Sequence, residues 1–381
     1  MRNYIGTTSE EEREGEQAWL ASVLPAQADL DRELGNDPVA ALLGLAKSRA
    51  PIEFGFTGPL ASDDPELKKQ FEVARQAAAA LKQSPLTVLS SEQVTAMHAF
   101  VHLLARPALR VVDNAVPAIP SSWPKLKVAH DNVIETIRGI GRVDQADRSH
   151  VGTGWFVAEN MLLTNRHVAG ALCGLDVHND HAWLDKLPAA RAATNTAWAA
   201  DTKLRAVWDP AEAPSAASTA VGSITKIRAV HEYLDMALLD VTGVANSKKL
   251  VLRMHASGPA STKKHDVYVA GYPGVRPPHG VSVQAAKLLF PDAIASGLKR
   301  VSPGQLVALV ADLPIASDKP RQSHDASTLG GNSGSPVIDF ANHRVVAIHY
   351  SGAYGMANYA VPLWLVKDDP FFADHGVTLA S

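Results

Sequence analysis

At 381 residues the chain is long enough for two or three domains of about 100–200 residues each, and an apolar share of 46% supports a sizeable buried core. A formal net charge of −3 excludes the basic footprint of a nucleic-acid-binding protein, and no stretch reaches the roughly 18 uninterrupted apolar residues of a membrane-crossing helix. Cys173 is the only cysteine, so no disulfide forms within the chain, and Met1–Ile5 leads into acidic Glu10–Glu12 without the apolar segment of a secretory signal; together these predict a cytoplasmic protein.

Residues 8–108 carry helical signals. Thr8 and Ser9 precede the acidic pair Glu11 and Glu12, and Trp19, Leu20, Val23 and Leu24 recur at helical spacing until Gly35. A second start at Asn36 or Asp37 before Pro38 leads into Val39, Leu42, Leu43 and Leu45. Asp64-Pro65 opens a third segment with Phe71, Ala74, Ala78 and Leu81 on one face. Ser90 with Gln93 three residues on has the spacing of a capping box before Val94, Met97, Phe100, Val101 and Leu104. Four amphipathic helices predict a helical module over residues 1–106, regulatory or partner-binding, through which an activating protein would act.

Pro107, Pro117, Pro120 and Pro124 predict an extended linker over 107–124. From about residue 125 the pattern changes to short apolar runs broken by Gly, Pro, Asn and Asp: Val151–Val157, Met161–Thr164, Val267–Ala270, Gln305–Val310 and Val345–His349. Such spacing predicts an all-β domain over 125–381. The alanine-rich stretch 189–220 reads as an irregular insertion.

Three segments carry chemistry. In the first, a strand from Gly152 to Val157, a turn at Glu159-Asn160 and a strand from Met161 bring His167 to the end of a sheet, where a general base is held by the strand and reached through the loop. In the second, Asp235 precedes Met236-Ala237-Leu238-Leu239, and Asp235, Asp240 or an aspartate elsewhere supplies a carboxylate to orient an imidazole; Asp235 is preferred. In the third, Gly330-Gly331-Asn332-Ser333-Gly334-Ser335-Pro336 surrounds a serine with glycines able to adopt positive φ and turn N–H groups inward. The order His167, Asp235, Ser333 excludes an α/β-hydrolase, which needs acid and histidine after the serine. Cys173 reads as a small apolar residue, since nothing nearby would lower its pKa. His178 and His181 lack a third ligand and support no metal site; His279, His324 and His343 are expected in loops. No cofactor is predicted.

The three segments together resemble the histidine, aspartate and serine motifs of trypsin-like serine peptidases, the Leu163-Thr164-Asn165-Arg166-His167-Val168 run especially those of the bacterial glutamyl endopeptidase branch. Val267–Gly274, Ser302-Pro303-Gly304 and His349-Tyr350-Ser351-Gly352 resemble later strands of the same family, and the likeness covers about residues 125–370. It implies a mainly β fold, two six-stranded antiparallel β-barrels of the chymotrypsin type, here preceded by the helical N-terminal domain. It implies a catalytic triad of His167, Asp235 and Ser333, with the Gly331 and Ser333 amides as oxyanion hole. It also implies a substrate-binding strand at His349, Tyr350, Ser351 and Gly352, acting on protein or peptide substrates. Ser327 occupies the position of the aspartate that holds Lys or Arg in trypsin, although Asp325 lies nearby. Thr328 and His349 match the glutamyl endopeptidase positions that receive an acidic P1 side chain; the other reading makes His349 part of a pocket for small apolar side chains. Asn332 stands where trypsin has the aspartate that pairs with a new amino terminus, so activation of that kind is not expected, and regulation is expected from the helices, by binding or by cleavage within 107–124. The alternative to a peptidase is a catalytically silent peptide-binding protein with a helical interaction domain.

Overall fold

The computed structural model describes Leu20 and residues 65–84, 87–90, 92–94, 96–97, 101, 105–111, 115–116, 119–120, 122–145, 150–177, 185–186, 203–206, 221–259, 265–273, 298–307, 321–353 and 357–379. The two helices expected before residue 50 lie outside these, Leu20 apart. The third is present as α1, Pro65–Gln83, with Ala74, Ala77, Ala78 and Leu81 buried along one face. The capping box forms reciprocally: Ser90 N donates to Gln93 Oε1 at 2.9 Å, and Gln93 N donates to Ser90 Oγ at 3.2 Å.

The remainder is mainly β. Strands β2 (Ile140–Asp144), β3 (His150–Ala158), β4 (Met161–Thr164), β5 (Lys203–Ala206), β6 (Val221–Val230) and β7 (Ala237–Thr242) close an antiparallel barrel in the order β2-β3-β4-β7-β6-β5. The second sheet has seven strands rather than six: β1 (Leu109–Arg110), β8 (His265–Gly271), β9 (Arg300–Val307), β10 (Gln322–His324), β11 (Pro336–Asp339), β12 (Val345–Ala353) and β13 (Ala357–Pro362). It curls in the order β1-β9-β10-β13-β12-β11-β8, with β8 also paired to β9.

Three expectations differ from this. The 107–124 stretch is in part docked rather than linking, because Leu109–Arg110 pair with Val301 and Arg300 of β9. Helices α2 (Pro124–Val128) and α3 (His130–Ile137) open the region expected to be all strand; Pro124 suits a first helical position, and Val133 and Ile137 lie one turn apart and buried. The alanine-rich insertion contains β5, paired with both β2 and β6.

The strands read as unbroken apolar runs because both of their faces are buried. Phe156 of β3 points into the first barrel with Val143, Leu162, Ile224 and Leu239. Its neighbours Trp155 and Val157 join a second cluster on the outside, shared with Tyr268, Ala270, Val301 and Ile348 of the other sheet and with Leu126, Val133 and Ile137 of α2 and α3. Likewise Val267 and Val269 of β8 face the interior of the curled sheet. This shared cluster clamps the two sheets together, and the side chains at their junction are fixed by it.

Segment 105–111 is bound to the curled sheet by charge as well. Arg106 Nε and Nη2 donate to the two oxygens of Asp325 at 2.7 and 2.8 Å, both residues being buried. Removing one partner of such a pair leaves an uncompensated charge and costs about 3–5 kcal/mol.

Trp155 is fully buried, and among the described residues its indole Nε1 has no hydrogen-bond partner. Trp155→Ala is therefore expected to lower unfolding free energy by about 3–5 kcal/mol. Trp155→Phe, which also removes the unpaired N–H, is expected to stay within about 1.5 kcal/mol of the parent. Urea unfolding of both variants checks this; equal losses would contradict it.

Candidate active site

The β3–β4 hairpin turns at Asn160, whose φ of 59° is the left-handed value that the turn needs. Strand β4 ends at Thr164, and extended Asn165 precedes a short helix, α4 (Arg166–Leu172), that the sequence did not announce, without capping it through its side chain. His167 thus sits in the first turn of a helix and not at a bare strand end. A first-turn N–H has no partner within its own helix, and here His167 N donates to Asp235 Oδ1 at 3.0 Å. The ring follows the backbone, with Nδ1 2.7 Å from Asp235 Oδ2. One carboxylate holds both the main chain and the imidazole. With Nδ1–H given to Asp235, the neutral ring keeps its lone pair on Nε2.

Asp235 stands on the loop between β6 and β7. Burial pushes its carboxyl up, but the His167 charge and hydrogen bonds and the Arg166 charge outweigh this and hold it below the usual carboxylate range. The loop is fixed from several sides. Asn165 Nδ2 donates to Asp235 O at 2.8 Å, and Arg166 Nη1 donates to the carbonyls of His231 and Glu232 at 3.1 and 2.6 Å. His231 Nδ1 accepts from Tyr233 N and Leu234 N, which makes Nε2 the protonated nitrogen, and it lies 3.1 Å from Asp369 Oδ2. Asp369 also caps α5 (Pro370–Ala373) through Phe371 N. Asp240, the other carboxylate considered, is paired with Arg228 on β6.

The Ser333 turn is tied to the hairpin that delivers His167. Thr153 N donates to Ser333 O at 2.8 Å, and Thr153 Oγ1 donates to Gly331 O at 2.9 Å. A Cβ on Gly152 would lie 2.6 Å from Val168 Cγ2 and 3.0 Å from Ser333 O, so the serine backbone rests beside the residue that follows His167. Gly331 and Gly334 have φ of 94° and 89°. At Gly334 a side chain would also meet Thr153 O at 2.1 Å. Asn332 N donates to Leu329 O and Ser335 N to Asn332 O, whereas among the described residues the amides of Gly331 and Ser333 donate to no protein acceptor. No hydrogen bond joins Ser333 Oγ to the His167 ring among the described residues; such bonds are often long before substrate binds.

The expected pocket residues are brought near one another with partners that the sequence did not reveal. The Thr328 hydroxyl donates to Asn358 Oδ1 at 2.6 Å, and Asn358 Nδ2 donates to Ala326 O at 2.7 Å. Ser351 and Gly352 of β12 pair with Tyr359 and Asn358. Tyr350, at a bulge in β12, has its phenol pushed up to about 12 by burial, with the Asp235 charge adding to the shift and Arg321 opposing it. His349 is buried, its Nδ1 3.1 Å from Nε2 of His324. His324, expected in a surface loop, is instead fully buried on β10. Asp325 is committed to Arg106. Thr153, Asn358, His231 and Asp369 had no signal beyond their own letters. Among the described residues no cluster of His, Cys, Asp and Glu could hold a metal, and no helix is long and apolar enough to cross a membrane. His178, His181 and His279 lie outside the described residues.

A family model for the trypsin-like peptidase domain matches residues 152–348, more than half of the chain and all three motifs. The chain belongs to that family. A curated relative, a probable serine protease of Lysobacter enzymogenes, is 36% identical over 67 residues, 17% of either chain, so the match spans about a sixth of that relative's length. Among solved structures, the Rv3671c protease of M. tuberculosis in its active form is 17% identical, with a TM-score of 0.39, covering 65% of this chain and 86% of that one. Its inactive form is 15% identical with a TM-score of 0.38, covering 65% and 91%.

Three histidines of this trypsin-like domain share a thermodynamic signature. Burial holds His324 at about 3. Burial, then Arg142, holds His150 at about 3. Burial, then the charges of His324 and His167, holds His349 well below the ordinary value. Each stays neutral in the folded chain but takes a proton in the unfolded chain below about pH 6.5. Their contribution to stability is therefore present above about pH 6.5 and is lost as pH falls toward the folded values, at about 1.4 kcal/mol per pH unit for each. Unfolding free energy measured in urea is expected to fall between pH 6 and pH 4, with His324→Gln reducing the slope by about one proton. An unchanged slope in that variant would contradict the assignment.

Proposed function

We propose that the chain is a serine endopeptidase that hydrolyses peptide bonds through an acyl-enzyme on Ser333. The observation that carries this is the doubly anchored His167–Asp235 pair, held by the same hairpin whose Thr153 binds the Ser333 turn. Ser333 Oγ attacks the scissile carbonyl while His167 Nε2 takes its proton, and the bond to the leaving amine breaks as His167 returns that proton. Asp235 keeps Nδ1 protonated and stabilises the imidazolium; its depressed pKa keeps it ionised for this role. The amides of Gly331 and Ser333, which have no acceptor among the described residues, are suited to receive the oxyanion, a donor of this kind contributing about 3–4 kcal/mol. Water then attacks the ester, with His167 again as base.

An acidic P1 preference is the finer part of the proposal. No trypsin-like counter-ion is free at the base of the pocket among the described residues, because Asp325 is taken by Arg106 and the Ser327 hydroxyl donates to Arg106 O. Among the described residues His324 Nδ1 is buried without a partner. An orphan acceptor is tolerated better than an orphan N–H, which favours His324 Nε2–H donating to His349 Nδ1. His349 Nε2–H is then left as a donor for a substrate acceptor such as a P1 carboxylate. Thr328 contributes only if its hydroxyl turns away from Asn358. The helices of 1–106 are proposed as a module that binds a regulatory partner, and the cytoplasm as the place of action.

A fluorophosphonate is expected to label wild-type protein at Ser333, and Ser333→Ala is expected to lose both labelling and peptide hydrolysis, the latter by a factor on the order of 10⁴–10⁶. Asp235→Asn is expected to lower kcat by about 10⁴. Labelling without amide turnover would leave an esterase, and no labelling of the folded protein would leave a silent peptide-binding protein. In a P1-varied peptide library, Glu is expected over Gln by about tenfold, with His349→Leu abolishing that difference. Preference for Ala or Val at P1 would overturn the acidic assignment.

A further inference from the structure

Segment 325–328 begins the stretch that leads to Ser333, and it is gripped from two sides. From β13, Asn358 accepts from the Thr328 hydroxyl at 2.6 Å and donates to Ala326 O at 2.7 Å. From the N-terminal side, Arg106 reaches both oxygens of Asp325 at 2.7 and 2.8 Å, and its carbonyl accepts from the Ser327 hydroxyl. Gln305 N adds a further donor to Asp325 Oδ1 at 2.6 Å. Arg106 and Asp325 are only 6% and 4% exposed, so water does little to screen the pair.

Arg106 is itself held rigidly. Its guanidinium lies over the Trp123 ring at 5.4 Å. Its Nη1 and Trp123 Nε1 both donate to Ala105 O, at 2.8 and 2.7 Å. The residues that follow are tied to β9 by Arg300 Nη1 donating to Ala108 O at 2.9 Å and by Val111 N donating to Lys299 O at 3.1 Å. A planar fork on both oxygens of a carboxylate fixes direction as well as distance, which a point charge cannot do. Ala326 has no slack on its other side either, since a Cβ on Gly304 would meet its backbone at 2.6 Å.

We propose that Arg106 is a positioning residue for the substrate pocket, setting the wall at 325–328 from outside the two sheets. This rests on the reading of the site as a serine endopeptidase and assigns its specificity wall to a residue outside the triad. Arg106 touches no reacting group. It acts through Asp325 on Ser327 and Thr328, and the pocket is shaped only while segment 105–111 remains docked.

The test uses the full chain with Arg106→Ala and Arg106→Lys. It compares kcat and KM on the best P1 peptide and on its P1 glycine counterpart, with the rate of fluorophosphonate labelling at Ser333. Arg106→Ala is expected to raise KM for the P1 peptide by about tenfold or more and to shrink discrimination against the glycine peptide by a similar factor. Labelling should stay within about threefold, because the probe needs the nucleophile and not the pocket. Lysine, which keeps the charge without the fork, should restore only part. Kinetics within about twofold of wild type would overturn the proposal, as would parallel loss of labelling and of both peptides. Should Arg106→Ala not fold, the pair Arg106→Gln with Asp325→Asn leaves no unpaired buried charge: raised KM with intact labelling upholds the proposal, and wild-type kinetics overturn it. Wild-type protein that neither labels nor turns over would overturn the endopeptidase reading and this role with it. An active wild type with unchanged variants would overturn this role alone.

Discussion

Thr153 is the residue on which the assembly of the site depends. Its amide donates to Ser333 O, its carbonyl accepts from Thr164 Oγ1, and its hydroxyl donates to Gly331 O while accepting from Tyr272 N. Every polar atom of one residue in the first barrel is thereby used, and two of them, the amide and the hydroxyl, make three hydrogen bonds to segments of the other sheet. These bonds are buried, and a buried polar group left unmade costs about 1–3 kcal/mol, so the serine turn cannot shift relative to the β3–β4 hairpin without breaking several at once. The neighbouring glycines follow from the same closeness: at Gly334 a side chain would strike Thr153 O of the other sheet, and at Gly152 it would strike Val168 and crowd Ser333 O.

The sequence could be read well where local rules govern and poorly where distant segments meet. The β4 strand lies at its expected bounds, the turn at Asn160 has the conformation its residues favour, and the Ser90–Gln93 capping box closes as its spacing dictates. In each case the partners lie within a few residues of one another. The helix holding His167 was not legible because its run Arg166–Leu172 is short and its apolar residues serve the barrel core as much as a helical face. Strand β1 was hidden behind prolines, since two residues of pairing leave no periodicity to detect.

The polar partners of the site were the least legible. Asn358 for Thr328, Arg106 for Asp325 and His324 for His349 are separated in the chain by 30, 219 and 25 residues. None carries a spacing rule, since which side chains meet across strands is set by register and curl, not by neighbours. His324 looked like a loop residue because Gln322–His324 is only three residues long. Its neutrality comes entirely from its burial within the curled sheet. The three candidate catalytic residues were legible for the opposite reason, each being embedded in a run of small and apolar residues that the fold requires around it.

The tie between His231 and Asp369 bears on the order in which the site is completed during synthesis. The loop carrying Asp235 is braced by a carboxylate 138 residues further along. On the ribosome, a nascent polypeptide that has completed its first barrel still lacks that brace, together with the serine turn itself. The carboxylate that braces the Asp235 loop is therefore put in place late in biogenesis, after the segment around Asp369 has emerged and docked against the earlier half.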